Sequence, residues 1–230
     1  MKIKATQKLA TSPFMTRYID LTHPMHSAMP VFPGDPSPVF QDVMTLEKDG
    51  CSVQTISCCN HLGTHLDAPS HFLAEGRTVE ALPLSALIGP AVILDLAHCA
   101  NTGIIEPEDV QRRLPQDYPE RIILRTGWSK RFESGGYFEG FPVLSLEAAD
   151  FIAGLRISLL GMDTPSPSPF DDPGHRIHKT LLGAEIIIVE GLCCLEEIPG
   201  ERFNMMVLPW PIHGASGSPC RAVAQVRDEG

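Results

Sequence analysis

The chain has 230 residues, 43% of them hydrophobic and 20% charged, with a formal net charge of −10 at pH 7. That is the balance of an ordinary globular protein, long enough to bury a sizeable core. The acidic excess argues against a nucleic-acid backbone or an anionic membrane as partner, since both reward clustered Lys and Arg, and no apolar run approaches the roughly 20 residues that span a bilayer.

Residues 1–15, MKIKATQKLATSPFM, lack the apolar segment of a secretory signal and read as a flexible arm ahead of one domain over 16–230. Such a chain stays where it is made, so a cytoplasmic protein is expected. The seven cysteines fit that setting: Cys58-Cys59 and Cys193-Cys194 are adjacent pairs, and none shows C-x-x-C spacing. They read as buried, reduced thiols.

Three early segments, RYIDLT, SPVFQDVM and CSVQTISCC, read as strands separated by Pro, Gly and Asp. From about residue 90 the pattern alternates. Strand-like AVILDL leads to helix-like EPEDVQRRL, with Pro107 in its first turn. RIILRT is followed by a helix opened by Ser145, SLEAADFIAGL, and then by ISLLGMD. HRIHKTLLG ends at Gly183 and feeds AEIIIVEGL, while RFNMMVLPW and CRAVAQV supply late strands. Runs such as IILRT and EIIIVE suit parallel strands covered on both faces. The expectation is an α/β domain, antiparallel or barrel-like early and β-α-β later.

The segment NHLGTHLDAPSHF places three of the nine histidines, His61, His65 and His71, within eleven residues. His61 and His65 are four apart, but Gly63 between them and Pro69 beyond disfavour a helix. A strand running into a turn puts His65 and Asp67 on one face, and a bend at Gly63-Thr64 returns His61 towards them. Two imidazoles and a carboxylate suit Zn²⁺, with Mn²⁺ or Fe²⁺ as alternatives. His71, beyond a stiffening proline, is placed to act as acid or base beside the ion. A polar surface loop with incidental histidines is the bland alternative.

H-x-G-T-H-x-D-x-P-x-H-F resembles the signature of the cyclase-type metal-dependent hydrolases, a family that includes kynurenine formamidases and isatin hydrolases. YIDLTHPMHSAMPVFPGDP, LRTGW, LLGMDTPSPSP, HKTLLGAEIIIVEGL and GSPCRAVA are similar to its other landmarks, so the likeness covers nearly the whole chain. The resemblance implies a swivelling β/β/α domain, a homodimer or larger homo-oligomer, and one or two divalent ions. It also implies His61, His65, Asp67, His178 and Glu190 as ligands and His71 as the catalytic histidine. From the residues alone, His175 and His178 are equal candidates; family spacing favours His178. Glu190 ends the apolar run IIIV, where an isolated carboxylate would be costly to bury and wants a cation. Many relatives carry an aspartate after the DTPS segment. Here Ser168 stands near that place, with Asp171 and Asp172 close by.

The implied activity is hydrolysis of a small amide, with N-formyl-L-kynurenine, cleaved to kynurenine and formate, as the leading substrate. No G-x-S-x-G elbow occurs, and Ser216 reads as a loop serine rather than a nucleophile. Phe32, Phe72 and Trp210 are aromatic candidates for stacking on an aryl ring. The alternatives are hydrolysis of another cyclic amide or lactone, a metal-dependent cyclase or dehydratase, and a non-catalytic protein with a closed metal site.

Overall fold

Short stretches of β-branched and apolar residues, cut off by Pro, Gly or Asp, become strands along most of the chain. In the computed structural model, which describes residues 16–227, they are β1 (Thr16–Asp20), β2 (Val39–Met44), β3 (Val53–Ser57), β4 (His65–Asp67), β5 (Ile88–Asp95), β6 (Ile104–Ile105), β7 (Arg121–Arg125), β8 (Val143–Leu144), β9 (Leu159–Met162), β10 (Ile187–Glu190), β11 (Arg202–Pro209) and β12 (Gly217–Arg227). The helices are α1 (Leu46–Asp49), α2 (Leu84–Leu87), α3 (Cys99–Thr102), α4 (Pro107–Arg113), α5 (Leu146–Ala153) and α6 (Arg176–Gly183). The expected arm, residues 1–15, lies outside the described residues. Among the described residues no helix is long and apolar enough to cross a membrane.

Helix starts follow local chemistry. Pro107 opens α4, where the Asp109 carboxylate accepts from the Glu106 backbone N–H at 3.0 Å. Ser145 Oγ accepts from Ala148 N–H at 3.1 Å to start α5, as its position ahead of the apolar run predicts. Before α6, Asp172 Oδ2 takes the Ile177 N–H at 3.1 Å, so that aspartate is committed to a helix end.

The main sheet runs β1-β12-β11-β5-β7-β9-β10-β4, and β4 pairs again with β12. The seven strands from β12 to β4 therefore close into a barrel, which removes the open edges between them. β5, β7, β9 and β10 are mutually parallel, while β11, β12 and β4 join antiparallel. Helices α4, α5 and α6 lie in the connections between the parallel strands, as β-α-β crossovers require.

Residue alternation then separates two cores. Ile93, Ile123, Leu159, Ile187 and Val189 join Leu66, Met205, Val207 and Ala222 in one buried cluster inside the barrel. Their sequence neighbours Val92, Leu94, Ile122, Leu124, Leu160 and Ile188 pack instead with Val110, Ile152, Leu181 and Leu182 of the helices. Being covered on both faces is what made these strands continuous apolar runs.

The early strands are antiparallel, as expected, but two of them stand outside the main sheet. β2 and β3 pair only with each other and leave Val39, Val43, Met44, Val53 and Ile56 exposed. The barrel's antiparallel part is built from the C-terminal β11 and β12 with β4. VFQDVM and VQTIS read correctly as strands, but mixed polar and apolar residues on both faces gave no sign of which partner they would take. The seven cysteines are all free: Cys99, Cys193 and Cys220 are buried, Cys58, Cys59 and Cys194 half-buried, and Cys51 exposed.

A third buried cluster holds Met29, Leu62, Trp128, Phe132, Tyr137 and Phe141. His23 stacks on Phe132 at 3.7 Å with the rings nearly parallel. Burial pushes its imidazole down to about 4, against the pull of Glu133, and its Nε2 has no partner among the described residues. A folded-state pKa below the unfolded value near 6.5 means that the unfolded chain binds the extra proton first. Stability from this site is complete above pH 6.5 and is lost as pH falls towards 4. Thermal melts of His23→Phe should therefore lose less stability than the parent across that window.

Candidate metal centre

β4 carries His65 and Asp67 to a buried corner of the barrel. Its antiparallel register with β10 sets His65 opposite Glu190, the last residue of that strand. Gly63, with φ +62°, makes the left-handed turn that returns His61 to the same place. Gly217 on β12 leaves the space for that ring, since a Cβ there would come within 2.3 Å of His61 Cε1. α6 adds His178 from the β9–β10 crossover.

The five side chains converge. His61 Nδ1 lies 2.7 Å from Asp67 Oδ1, and His65 Nε2 lies 3.6 Å from the same oxygen and 3.3 Å from Glu190 Oε2. His178 Nε2 is 3.8 Å from Asp67 Oδ2 and 3.4 Å from Glu190 Oε1. His65, Asp67, His178 and Glu190 are all buried. Two donor groups result, His61–His65–Asp67 and Asp67–His178–Glu190, which share Asp67.

Burial alone would make this arrangement costly. Burial lowers the affinity of His65 and His178 for protons, yet Glu190 and Asp67 override it, pushing His65 up to about 9 and His178 upward. Burial likewise acts to raise Asp67, but the imidazoles of His61 and His65 hold its carboxyl well below the usual range. Even so, Glu190 Oε1 has no hydrogen-bond partner among the described residues. An orphaned, buried carboxylate oxygen within a His/Asp/Glu donor set fits a divalent cation, and nitrogen with oxygen donors suits Zn²⁺ or Mn²⁺.

Neighbours orient the imidazoles. His65 Nδ1 sits 2.9 Å from the Gly63 carbonyl, which turns Nε2 towards the centre. His178 Nδ1 lies 3.0 Å from Ser168 Oγ, and donation by Nδ1–H leaves Nε2 free to ligate. Ser216 Oγ is 3.1 Å from His61 Nε2, so this loop serine contacts the cluster. Sequence reasoning missed the contributions of Ser168 and Ser216. Ser168 marks the departure from the aspartate of many relatives, and that departure was its only signal. Asp172 does not substitute for the missing aspartate, because it caps α6. Ser168→Ala should weaken divalent-ion affinity by about 10- to 100-fold in chelator competition.

The cluster opens into a cavity of about 370 Å³. Phe32, Phe72, Phe138 and Phe170 line it, as do His71 and His175. Pro69 opens the tight turn Pro69–His71, and the His71 ring stacks on His61 at 3.9 Å. Burial brings the His71 imidazole down to about 4, against the pull of Asp67. His175, exposed and 4.7 Å from Phe72, lies outside both donor groups, so the geometry separates it from His178. Phe32 and Phe72 line the cavity, whereas Trp210 is half-exposed and does not.

A barrel-closed α/β sheet with a His/Asp/Glu centre at one corner defines a metal-dependent hydrolase of the cyclase fold. The cyclase family model matches residues 19–169, and the chain belongs to that family. It is 31% identical over 209 residues to a kynurenine formamidase of Bacillus cereus, covering 90% of this chain and 97% of that one. Among solved structures it is similar to a potential metal-dependent hydrolase with cyclase activity, at 29% identity and TM-score 0.77 over 92% of this chain and 98% of that one. It is also similar to isatin hydrolase A from Labrenzia aggregata, bound to benzyl benzoate, at 26% identity and TM-score 0.81, covering 92% and 94%.

Proposed function

We propose that this chain hydrolyses an aryl formamide, with N-formyl-L-kynurenine as substrate and formate and kynurenine as products. One observation carries the reading: a buried two-carboxylate, three-imidazole cluster opens into a cavity walled by phenylalanines. His61, His65, Asp67, His178 and Glu190 would hold Zn²⁺, or Mn²⁺ in its place, as one or two ions. When bound, such an ion lowers the pKa of water from about 16 to about 7 and polarises a carbonyl.

The protein's own groups do the rest. His71, neutral and beside the cluster rather than within it, takes the proton from the attacking water and passes it to the departing aniline nitrogen. The oxygen of that water ends on the formyl carbon as the C–N bond breaks, which gives formate and the free amine. Phe32 and Phe72 pack against the aryl ring and keep water away from it.

Ring opening of isatin is the second reading, supported by the likeness to isatin hydrolase A. The purified chain, supplied with Zn²⁺ or Mn²⁺, should be offered formylkynurenine, isatin, simple aryl formamides and lactones. Formate release from the formamides with little isatin opening supports the first reading, and the reverse supports the second.

We further read residues 16–230 as one catalytic domain that acts in the cytoplasm, where its free thiols stay reduced. The β2–β3 hairpin suggests a homodimer, because an isolated two-stranded ribbon is marginal in water and this one exposes apolar side chains.

A further inference from the structure

The cavity holds one charged side chain that the metal cluster does not use. Asp35 lines it, and no Lys or Arg appears among the described residues that line the cavity. Nor does Asp35 pair with any cationic side chain among the described residues. Its backbone sits in a turn: Asp35 N–H donates to the Phe32 carbonyl at 2.9 Å, and Gly34 within the turn has φ +102°. One turn therefore delivers a carboxylate and an aromatic ring to the same wall.

Two further rings complete the surroundings. Phe170 meets Phe32 edge-on at 4.6 Å, and Phe138 lies 6.3 Å from Phe32 and 6.1 Å from Phe170. All three line the same cavity as Asp35. Aromatic faces attract a cation through their quadrupoles, and a carboxylate beside them fixes where an ammonium will sit. A neutral tail gains nothing from such a wall, and of the ammonium and carboxylate on the far carbon of N-formyl-L-kynurenine only the ammonium is drawn to it.

We infer that Asp35, with Phe32, Phe138 and Phe170, forms a subsite for a primary ammonium group carried by the substrate at a distance from its scissile amide. Asp35 is then a specificity residue, one that touches neither the metal cluster nor the bond broken. The inference rests on and extends the aryl-formamide reading by naming the group at the substrate's far end, its ammonium, that Asp35 would meet. It is tested by binding rather than turnover, so that it stands or falls apart from that reading.

The probes are kynuramine, an aryl ketone that ends in a primary ammonium, and its side-chain N-acetyl derivative, which is neutral. Calorimetric titration into the metal-loaded chain should show kynuramine bound at least about tenfold more tightly than the N-acetyl compound, a difference of about 1.4 kcal/mol. Asp35→Asn should erase that preference by weakening kynuramine alone, and Asp35→Glu should restore part of it. Equal affinity for the two probes in the parent chain would overturn the subsite. So would an Asp35→Asn variant that loses both equally, because Asp35 would then serve only the turn.

Discussion

Asp67→Ala is expected to give a folded protein that retains little divalent metal after dialysis and hydrolyses aryl formamides at least about 10³-fold more slowly. Among the described residues Asp67 belongs to both donor groups. Its Oδ1 meets His61 and His65, and its Oδ2 faces His178. Removing it leaves three imidazoles and one carboxylate, with the His65–Glu190 contact as the remaining side-chain tie between the β4 half of the site and the α6–β10 half. Folding should survive, since the substitution also removes a buried charge. The cost is the partner lost by His61 Nδ1, about 1–3 kcal/mol. Elemental analysis against protein concentration, paired with a thermal melt, reads both effects. Asp67→Asn keeps the shape and removes the charge, so it should behave nearly as badly. Metal retained at the parent's stoichiometry would remove Asp67 from the ligand set.

His71→Ala should behave differently: metal content unchanged, KM little altered and kcat lower by about 10²- to 10⁴-fold, the range expected for a lost acid–base group. The geometry separates His71 from the two donor groups. Its ring stacks on His61 and lies 6.3 Å, centroid to centroid, from His178, and among the described residues it makes no side-chain hydrogen bond. It belongs to neither donor group. Single-turnover rates measured beside metal content distinguish the roles. A variant that loses the ion together with activity would make His71 a ligand, and undiminished turnover would dismiss it from the reaction. Added imidazole should restore part of the rate, because truncation to alanine leaves room for it in the cavity.

Much of this site was legible before any coordinates. Gly63 and Pro69 rule out a helix by their backbone chemistry alone, and two-residue alternation puts His65 and Asp67 on one face of β4. Glu190 announced itself by following an apolar run, where a carboxylate needs compensation. The crossover helices were readable from Pro107 and Ser145 at their starts. Less legible were the groups whose signal is weak in sequence. Ser168 and Ser216 are ordinary loop serines until they are seen 3.0 Å and 3.1 Å from a histidine nitrogen. Trp210 looked as eligible as Phe32 for the cavity wall, and only packing distinguished them.

Local sequence determined, then, the element types, the helix boundaries and the clustering of residue types able to ligate a metal, because propensity, capping and alternation act over a few neighbouring positions. Tertiary structure decided which strands close the barrel, which of His175 and His178 faces the cluster and which aromatic rings line the cavity. Those outcomes depend on contacts between segments 150 or more residues apart, such as β4 pairing with β12 through Asp67 and Gly217. No local pattern encodes such pairings, since strands of similar composition compete for the same edge and the global packing chooses between them.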